Sequence, residues 1–538
     1  MRGTLVLGCV LLLACVEAPK PQPLPPTPDS PDLAQPDPAD LAGVTNPSVD
    51  LALPPLTIAR ITPRMASTVG RERVTIVGTG FDNRTVFTFA GLQAEVESVT
   101  STEAVVFTPA GGPWGVPITV AAWRSTDMAR ATNSNAANSP SAFRFYASVL
   151  AFVESLRINH NNYTNPRVPL LGDLNNDGRV DLIATYISTG IHSVHLNNGA
   201  GNLIYTFNDS NTPSNLGVQK GMLVDLDNDN NLDMLVADES ATWQYNLGNG
   251  TGQMVARGQV RYSPGCTTTT SPIAFRIDGD MQNDVAVACA GNNVVRIYLG
   301  RGTANPGALY GGTNDGGNYQ LTGLSTPHHL MATDLNKDGR DDLVVVNHAN
   351  NAPTLAWYIA ANNALPTTPT GTAGTNNANQ APYWGACGDL NNDTYPDCVV
   401  SDINTHTVRV FLNNGAGSLN APVANGGTVP VGYAPREVSL DDVNGDGRLD
   451  IITANRESTS ISIVLGRGDG TFGSLIAPDG RILTAQTVVG LSGCRLGWTA
   501  RMADFDGDGI KELVGSCEQN ERGETAFGRF VVFRNISR

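Results

Sequence analysis

Carboxylates and carboxamides crowd into single turns of this chain. In Leu170–Ala184, LLGDLNNDGRVDLIA, five of the middle residues are Asp or Asn. Left bare, such a cluster repels itself and destabilises the compact state. Either the turn is a solvated Asx-rich loop, or a cation sits among its oxygens. The stretch recurs as VDLDNDNNLDMLVA from Val224, FRIDGDMQNDVAVA from Phe275 and TDLNKDGRDDLVVV from Thr333. It returns as GDLNNDTYPDCVVS from Gly388, DDVNGDGRLDIITA from Asp441 and ADFDGDGIKELVGS from Ala503. The loops start at residues 173, 225, 276, 334, 389, 442 and 504, at intervals of 51 to 62. In the pattern D-x-[DN]-x-D-G-x-x-D, side chains at positions 1, 3, 5 and 9 converge if the backbone curls at position 6. Glycine, or Asn at some cost, accommodates that curl. Hard oxygen ligands of this kind select Ca²⁺, which takes about 6–8 oxygens in flexible geometry. Metals that prefer thiolate or imidazole fit poorly.

The elements that must position these loops are short strands. Each loop lies between two apolar runs, and several copies are followed by an apolar strand and a glycine turn. Examples are HSVHLNNGAGNL, WQYNLGNGTGQM, VRVFLNNGAGSL and ISIVLGRGDGTF. A unit therefore reads strand, acidic loop, strand, turn, strand, glycine hairpin, strand. Seven such units without helical periodicity predict an all-β fold, a seven-bladed β-propeller. An EF-hand or dockerin reading fails, because those loops are flanked by helices and need Glu at position 12. The last unit ends at GRFVVFRNISR without a glycine hairpin or fourth strand. The motif-free segment SVLAFVESL (148–156) is expected to supply that strand and join the two ends.

The repeats resemble the FG-GAP/VCBS family, the module of integrin α-chain heads and many bacterial surface proteins, over residues 147–538. Ahead of them, residues 57–146 resemble the IPT/TIG family of small immunoglobulin-like β-sandwiches. The matching features are Ile61-Thr62-Pro63, Val74-Thr75-Ile76 followed by Gly78-Thr79-Gly80-Phe81, the FAGLQA turn, and Thr108-Pro109-Ala110. Alternation in RVTIVGTGF and short runs split by Gly/Pro turns independently predict a sandwich.

Carried over position by position, the FG-GAP resemblance implies Ca²⁺ ligands, with a main-chain carbonyl at position 7 completing each shell. These are Asp173, Asn175, Asp177 and Asp181 in loop one, and Asp225, Asp227, Asp229 and Asp233 in loop two, where Asn230 replaces glycine. Loop four offers Asp334, Asn336, Asp338 and Asp342; loop five offers Asp389, Asn391, Asp393 and Asp397, with Thr394 in the glycine place. Loop six offers Asp442, Asn444, Asp446 and Asp450, and loop seven Asp504, Asp506, Asp508 and Glu512. Loop three departs from the pattern, with Arg276 at position 1 and Met281 at position 6, and is expected to be empty. Six Ca²⁺ would bring twelve positive charges to a chain of formal charge −16.

In the family the acidic loops share one face, and the strand before each is innermost in its blade. Residues about six positions earlier are then expected around the opposite mouth of the central channel. They are Arg167, Gln219, Thr270, His328, Tyr383, Arg436 and Trp498. Arginines pair bidentately with carboxylates, and flat aromatics stack on sugar faces. The mouth is thus the expected site for an acidic or sugar-containing ligand, on a glycan or a protein.

The first residues read as an export signal, with Arg2 followed by the apolar run LVLGCVLLLA. Leu12-Leu13-Ala14-Cys15 resembles the bacterial lipobox, which implies a signal over 1–14 and lipidation of Cys15. Val16 after the Cys leans toward the outer membrane in that family. The lipid anchor is then the expected membrane attachment, with the protein at the outer membrane or cell surface. Residues 15–56 are Pro-rich and read as an extended spacer.

Six cysteines remain beyond Cys9 and Cys15, an even number in an exported chain, which suggests disulfides. Cys266 and Cys494 each precede their loop start by ten residues, and Cys289 and Cys517 follow it by thirteen. Equivalent offsets imply Cys266–Cys289 and Cys494–Cys517. Cys387 and Cys398 flank loop five and are expected to pair. An acidic balance of 34 basic against 50 acidic residues argues against nucleic acid. No GxSxG, HExxH or phosphate-loop motif occurs. The favoured reading is a binding or adhesion protein without catalysis; the alternative is a propeller-based hydrolase or lyase acting on envelope or extracellular polysaccharide.

Overall fold

The structure, a computed structural model, describes residues 54–537 except 126, 137–138, 148–149, 160–165, 187–191, 200, 210–217, 239–241, 263–264, 279, 281, 301–318, 421–422, 424–426, 459, 474, 477–481, 484–485, 491–493, 496–497, 518 and 521–528. Cys15 and the Pro-rich segment up to residue 53 lie outside the described residues, as do Gly279 and Met281 of loop three and the side chains of Gln219 and Cys494. The described elements are strands, apart from a three-residue 3-10 turn at Ala290–Asn292.

The N-terminal sandwich follows from alternation. Strand Arg73–Thr79 buries every second residue, among them Val74 and Ile76. It pairs with Thr57–Thr62 and Glu103–Phe107, while Thr85–Phe89 and Val120–Arg124 lie at the centre of the second sheet. Between the sheets, Phe89 and Phe143 meet edge to face at 4.9 Å, and Phe143 and Phe145 at 5.6 Å.

Beyond the sandwich the described residues form seven four-stranded sheets. Six run in chain order, the first being Pro166–Gly172, Asp181–Tyr186, His192–Asn197 and Leu203–Asp209. The last is completed from the other end of the chain. Phe152–Asn159 pairs antiparallel with Arg529–Asn535, followed by Glu512–Cys517 and Ala500–Ala503. The closing strand therefore starts four residues later than the expected 148 and runs to Asn159, through a bulge between Glu154 and Leu156.

The second strand of a sheet is sandwiched between neighbouring sheets, so it reads as a continuous apolar run rather than an alternating one. Asp342–Asn347 and Asp450–Asn455, for example, are buried at every residue. First strands of successive sheets neighbour one another around the ring, and Pro166–Gly172 reaches Glu512–Cys517 of the last sheet. They line the channel. Most carry a register shift near their start, as between Pro327 and His329, Pro382 and Gly385, and Pro435 and Val438. Such bulges re-aim side chains.

The sandwich rests on loops six and seven. Ala147 N–H donates to the Asn444 carbonyl at 2.6 Å, and Trp114 Nε1 to the Ser537 carbonyl at 2.9 Å. Ile510 packs against the sandwich core. Disulfides join Cys266 to Cys289 and Cys387 to Cys398, with Cα atoms 5.2 and 4.1 Å apart. Cys517 is also disulfide-bonded. Among the described residues no helix is long and apolar enough to cross a membrane.

Candidate functional site

Each acidic loop is wound by its own carboxylates. In loop one, Asp173 accepts the N–H groups of Asp177 (3.1 Å) and Gly178 (2.7 Å), and Asp177 accepts that of Arg179 at 3.0 Å. Loops two, four, five and six repeat the pattern through Asp225, Asp334, Asp389 and Asp442. In loop seven Asp504 accepts the amides of Gly507 and Gly509. Asn175, Asn336, Asn391 and Asn444 each donate to the carboxylate two residues on.

The backbone curls twice rather than once. Position 6 has positive φ, as expected, including Asn230 (68°) and the β-branched Thr394 (75°). Position 4 does too: Asn176, Asn228, Lys337 and Asn392 lie at 58–60° and Gly445 and Gly507 at 75–76°. Asn tolerates this left-handed region better than most residues, which gives the Asn at three of these positions a conformational reason.

Position 9 does something the pattern does not announce. Asp233 takes the Leu226 N–H at 2.7 Å on one oxygen and the Gly248 N–H at 2.8 Å on the other. Asp181, Asp342, Asp397 and Asp450 do likewise, tying the loop to the end of the third strand or the turn just after it. Glu512 accepts the Phe505 N–H at 2.9 Å. Asp284 of loop three keeps both bonds, to Ile277 (3.0 Å) and Gly300 (2.9 Å), although Arg276 is exposed and its N–H goes to Asp341.

The donor set suits a hard cation. Asp225, Asp227 and Asp229 offer oxygens within 4.8 Å of one another, as do Asp504, Asp506 and Glu512. Asp227 Oδ1 is buried without a hydrogen-bond partner, a costly state that a cation would relieve. Without one, burial pushes Asp233 and Glu512 up to about 7 and Asp284, Asp342, Asp397 and Asp442 up to about 6, with neighbouring carboxylates adding to the shift and backbone amides opposing it. Asp450 is pushed well above the usual carboxylate range, again by burial first and then by Asp446.

The residues expected at the mouth do meet, but they pack on one another. Arg167 lies over the Trp498 ring at 3.7 Å, and Arg436 over Tyr383 at 4.3 Å and Trp498 at 4.7 Å. His328 and Tyr383 rings are 4.0 Å apart, and Thr270 donates to the Pro327 carbonyl at 3.0 Å. The aromatic faces expected to stack on sugars are therefore covered by guanidinium and imidazole groups. The side chain of Gln219 lies outside the described residues.

The reading at six positions before each loop missed the next residue along. Lys220 is 5% exposed, and its Nζ sits 4.5 Å from the centre of the Trp384 ring and 2.8 Å from the His328 carbonyl. His329 stacks on Trp384 at 4.2 Å. Glu437 accepts Arg501 Nε at 2.9 Å and the Ala500 N–H at 3.2 Å. The pleat alone would turn these residues away from the channel; the bulge is the signal, and short strands of unknown register conceal it. Beside them a cavity of about 720 Å³ opens toward sheets three and four, where Thr270 is small.

This arrangement defines a class: an all-β protein with a β-propeller of acidic-loop repeats behind an immunoglobulin-like sandwich. The FG-GAP-like repeat family matches residues 276–345, 334–400, 389–453 and 442–515, and the IPT/TIG domain family matches residues 56–136. Residues 276–515 thus carry four FG-GAP-like repeats, and residues 56–136 an IPT/TIG domain. No curated protein matches it in sequence. Similar solved structures include an auxiliary nutrient binding protein from Bacteroides thetaiotaomicron, at 11% identity and a TM-score of 0.34, covering 89% of this chain and 98% of that one. Another from Bacteroides ovatus has 12% identity and a TM-score of 0.31, covering 89% and 98%. The Dos1 propeller has 9% identity and a TM-score of 0.42, covering 72% and 96%.

Proposed function

We propose that this chain is an exported, calcium-stabilised propeller that binds an extracellular glycan or protein and performs no catalysis. The observation that carries the calcium reading is the convergence of oxygens in the acidic loops, with Asp227 Oδ1 buried and unsatisfied. Positions 1, 3, 5 and 9 of loops one, two, four, five, six and seven would hold the ions. Carboxylate oxygens at position 9 keep lone pairs beyond the amides they already accept. Bound Ca²⁺ would supply charge neutralisation and cross-link each loop. The disulfides Cys266–Cys289 and Cys387–Cys398 support an oxidising compartment, and lipidation at Cys15 would tether the protein there.

Binding is assigned to the channel mouth, where cationic, imidazole and aromatic groups gather beside a concave space. The test is an array of glycans and matrix proteins probed with the full chain, with and without EGTA. Calcium-dependent retention without turnover is the expected result. A product detected by mass spectrometry would replace this reading with a hydrolase or lyase, and no retention on any ligand would overturn it.

A further inference from the structure

We propose that the cavity beside Lys220 receives the carboxylate of an acidic sugar, a uronate unit of a glycan, with Lys220 as its anchor. This rests on the binding reading above and names the ligand class.

The cavity, about 720 Å³, falls within the range of small-ligand sites, about 300–1,000 Å³. Its wall includes Lys220, Thr268, Thr270, His328, His348 and Tyr383. Lys220 is the group that asks for a partner. An ammonium has three donors, and here one is used by the His328 carbonyl. Its remaining contacts are the faces of Trp384 and Tyr383 and a 3.3 Å approach to His328 Nδ1; among the described residues no carboxylate lies within salt-bridge distance. Burying a charge in this way is costly unless an anion arrives. Burial accordingly lowers the pKa of Lys220 well below the usual lysine value, with Glu437 opposing. An incoming carboxylate would restore the charged form and satisfy its donors.

The remaining wall suits hydroxyls. His348 Nδ1 lies 2.7 Å from the Pro382 carbonyl, and His328 Nδ1 2.8 Å from the Tyr383 carbonyl. A carbonyl only accepts, so each Nδ1 carries the proton and each Nε2 is left as an acceptor. The 3.3 Å Lys220 contact then brings two donors together and is no hydrogen bond, which leaves that ammonium proton without an acceptor there. Two imidazole acceptors and threonine hydroxyls match a ring of alcohols better than they match a peptide chain. Neutral sugars fail to meet Lys220, and sugar stacking is blocked because Arg436 and His328 lie against Tyr383. A hydroxylated carboxylate meets both requirements.

The experiment measures binding of calcium-loaded full chain to oligogalacturonate and to oligoglucuronate by calorimetry. Neutral galactan, an acidic peptide and inorganic phosphate serve as comparisons. The expected result is retention of a uronate, weakened about tenfold or more by Lys220→Met, with neutral galactan unbound. Lys220→Met and Thr270→Phe, which would fill the cavity, are both checked for an unchanged melt; if the first misfolds, the second carries the test. Equal binding of uronate and neutral glycan would overturn the proposal, as would equal binding of the acidic peptide or of phosphate. So would a folded Lys220→Met or Thr270→Phe variant with wild-type affinity. Wild type retained on a different ligand with these variants unaffected overturns this inference alone, whereas wild type retained on nothing overturns the binding reading beneath it.

Discussion

Loops six and three occupy equivalent places in their sheets and are held differently. In loop six, Asn444 and Asp446 are 1% and 5% exposed, covered by the immunoglobulin-like sandwich. Gly445, at a φ of 75°, comes so close to Gly115 that a Cβ there would lie 2.8 Å from its Cα. A side chain would push the domains apart. In loop three, Arg276 replaces the first carboxylate and is exposed, and the Cys266–Cys289 disulfide links the residues just ahead of the first strand to the end of the second. Both loops nevertheless share the position-9 bracket. Asp450 takes the Val443 and Gly466 amides at 2.9 and 2.8 Å, and Asp284 takes those of Ile277 and Gly300 at 3.0 and 2.9 Å. The comparison separates two jobs that the acidic motif merges. Position 9 ties strands together with or without a carboxylate at position 1, where Asp442 of loop six gathers the Asp446 and Gly447 amides.

The largest effect expected to sharpen this contrast is calcium removal. Linkage contributes about 2.7 kcal/mol per independent site at a hundredfold excess over Kd. EGTA should therefore lower the melting midpoint markedly, and elemental analysis should find about six ions per chain, as the six complete loops require. An unchanged melt with no bound calcium would remove the cation from the comparison altogether.

Next come the paired variants Asp284→Ala and Asp450→Ala. Each strands two amides, all buried but that of half-buried Gly300, at about 1–3 kcal/mol per buried amide. Both should lower the urea midpoint, but only Asp450→Ala should also cost one calcium. Loss of an ion from Asp284→Ala would show that loop three is a cation site after all.

The smallest effect is in pH. The metal-free carboxylates at about 6 to 7 lie above their unfolded values of about 4. The native state then binds more protons than the unfolded chain across that interval. Stability in EGTA should be fully present below about pH 4 on this account and be lost as pH rises through 6 to 7. With saturating calcium the ion takes the place of the protons, so the melting midpoint should not fall between pH 5 and 8. Identical slopes with and without calcium would break the link between these carboxylates and the ion.

Much of this was legible in the residues. Repetition at intervals of 51 to 62 fixed seven loops, and the alternation around them fixed strands, because both signals are local and recur. The disulfide pairs Cys266–Cys289 and Cys387–Cys398 followed from offsets within one repeat or from flanking one loop, since a shared fold places equivalent residues alike. The closing strand was visible as a leftover apolar run, although its ends shifted because a bulge absorbs one residue. What the chain could not reveal was where distant elements meet. The partners of the position-9 carboxylates come from strand ends or turns about fifteen residues on, beyond the motif. Lys220 reaches the channel because a bulge changes which way its strand points, and strand register is set by pairing rather than by composition. The sandwich covers loop six rather than loop one because Gly115, Ala147 and Ile510 come together only once both domains are folded; packing complementarity of that kind is a property of surfaces, which no local stretch of residues encodes.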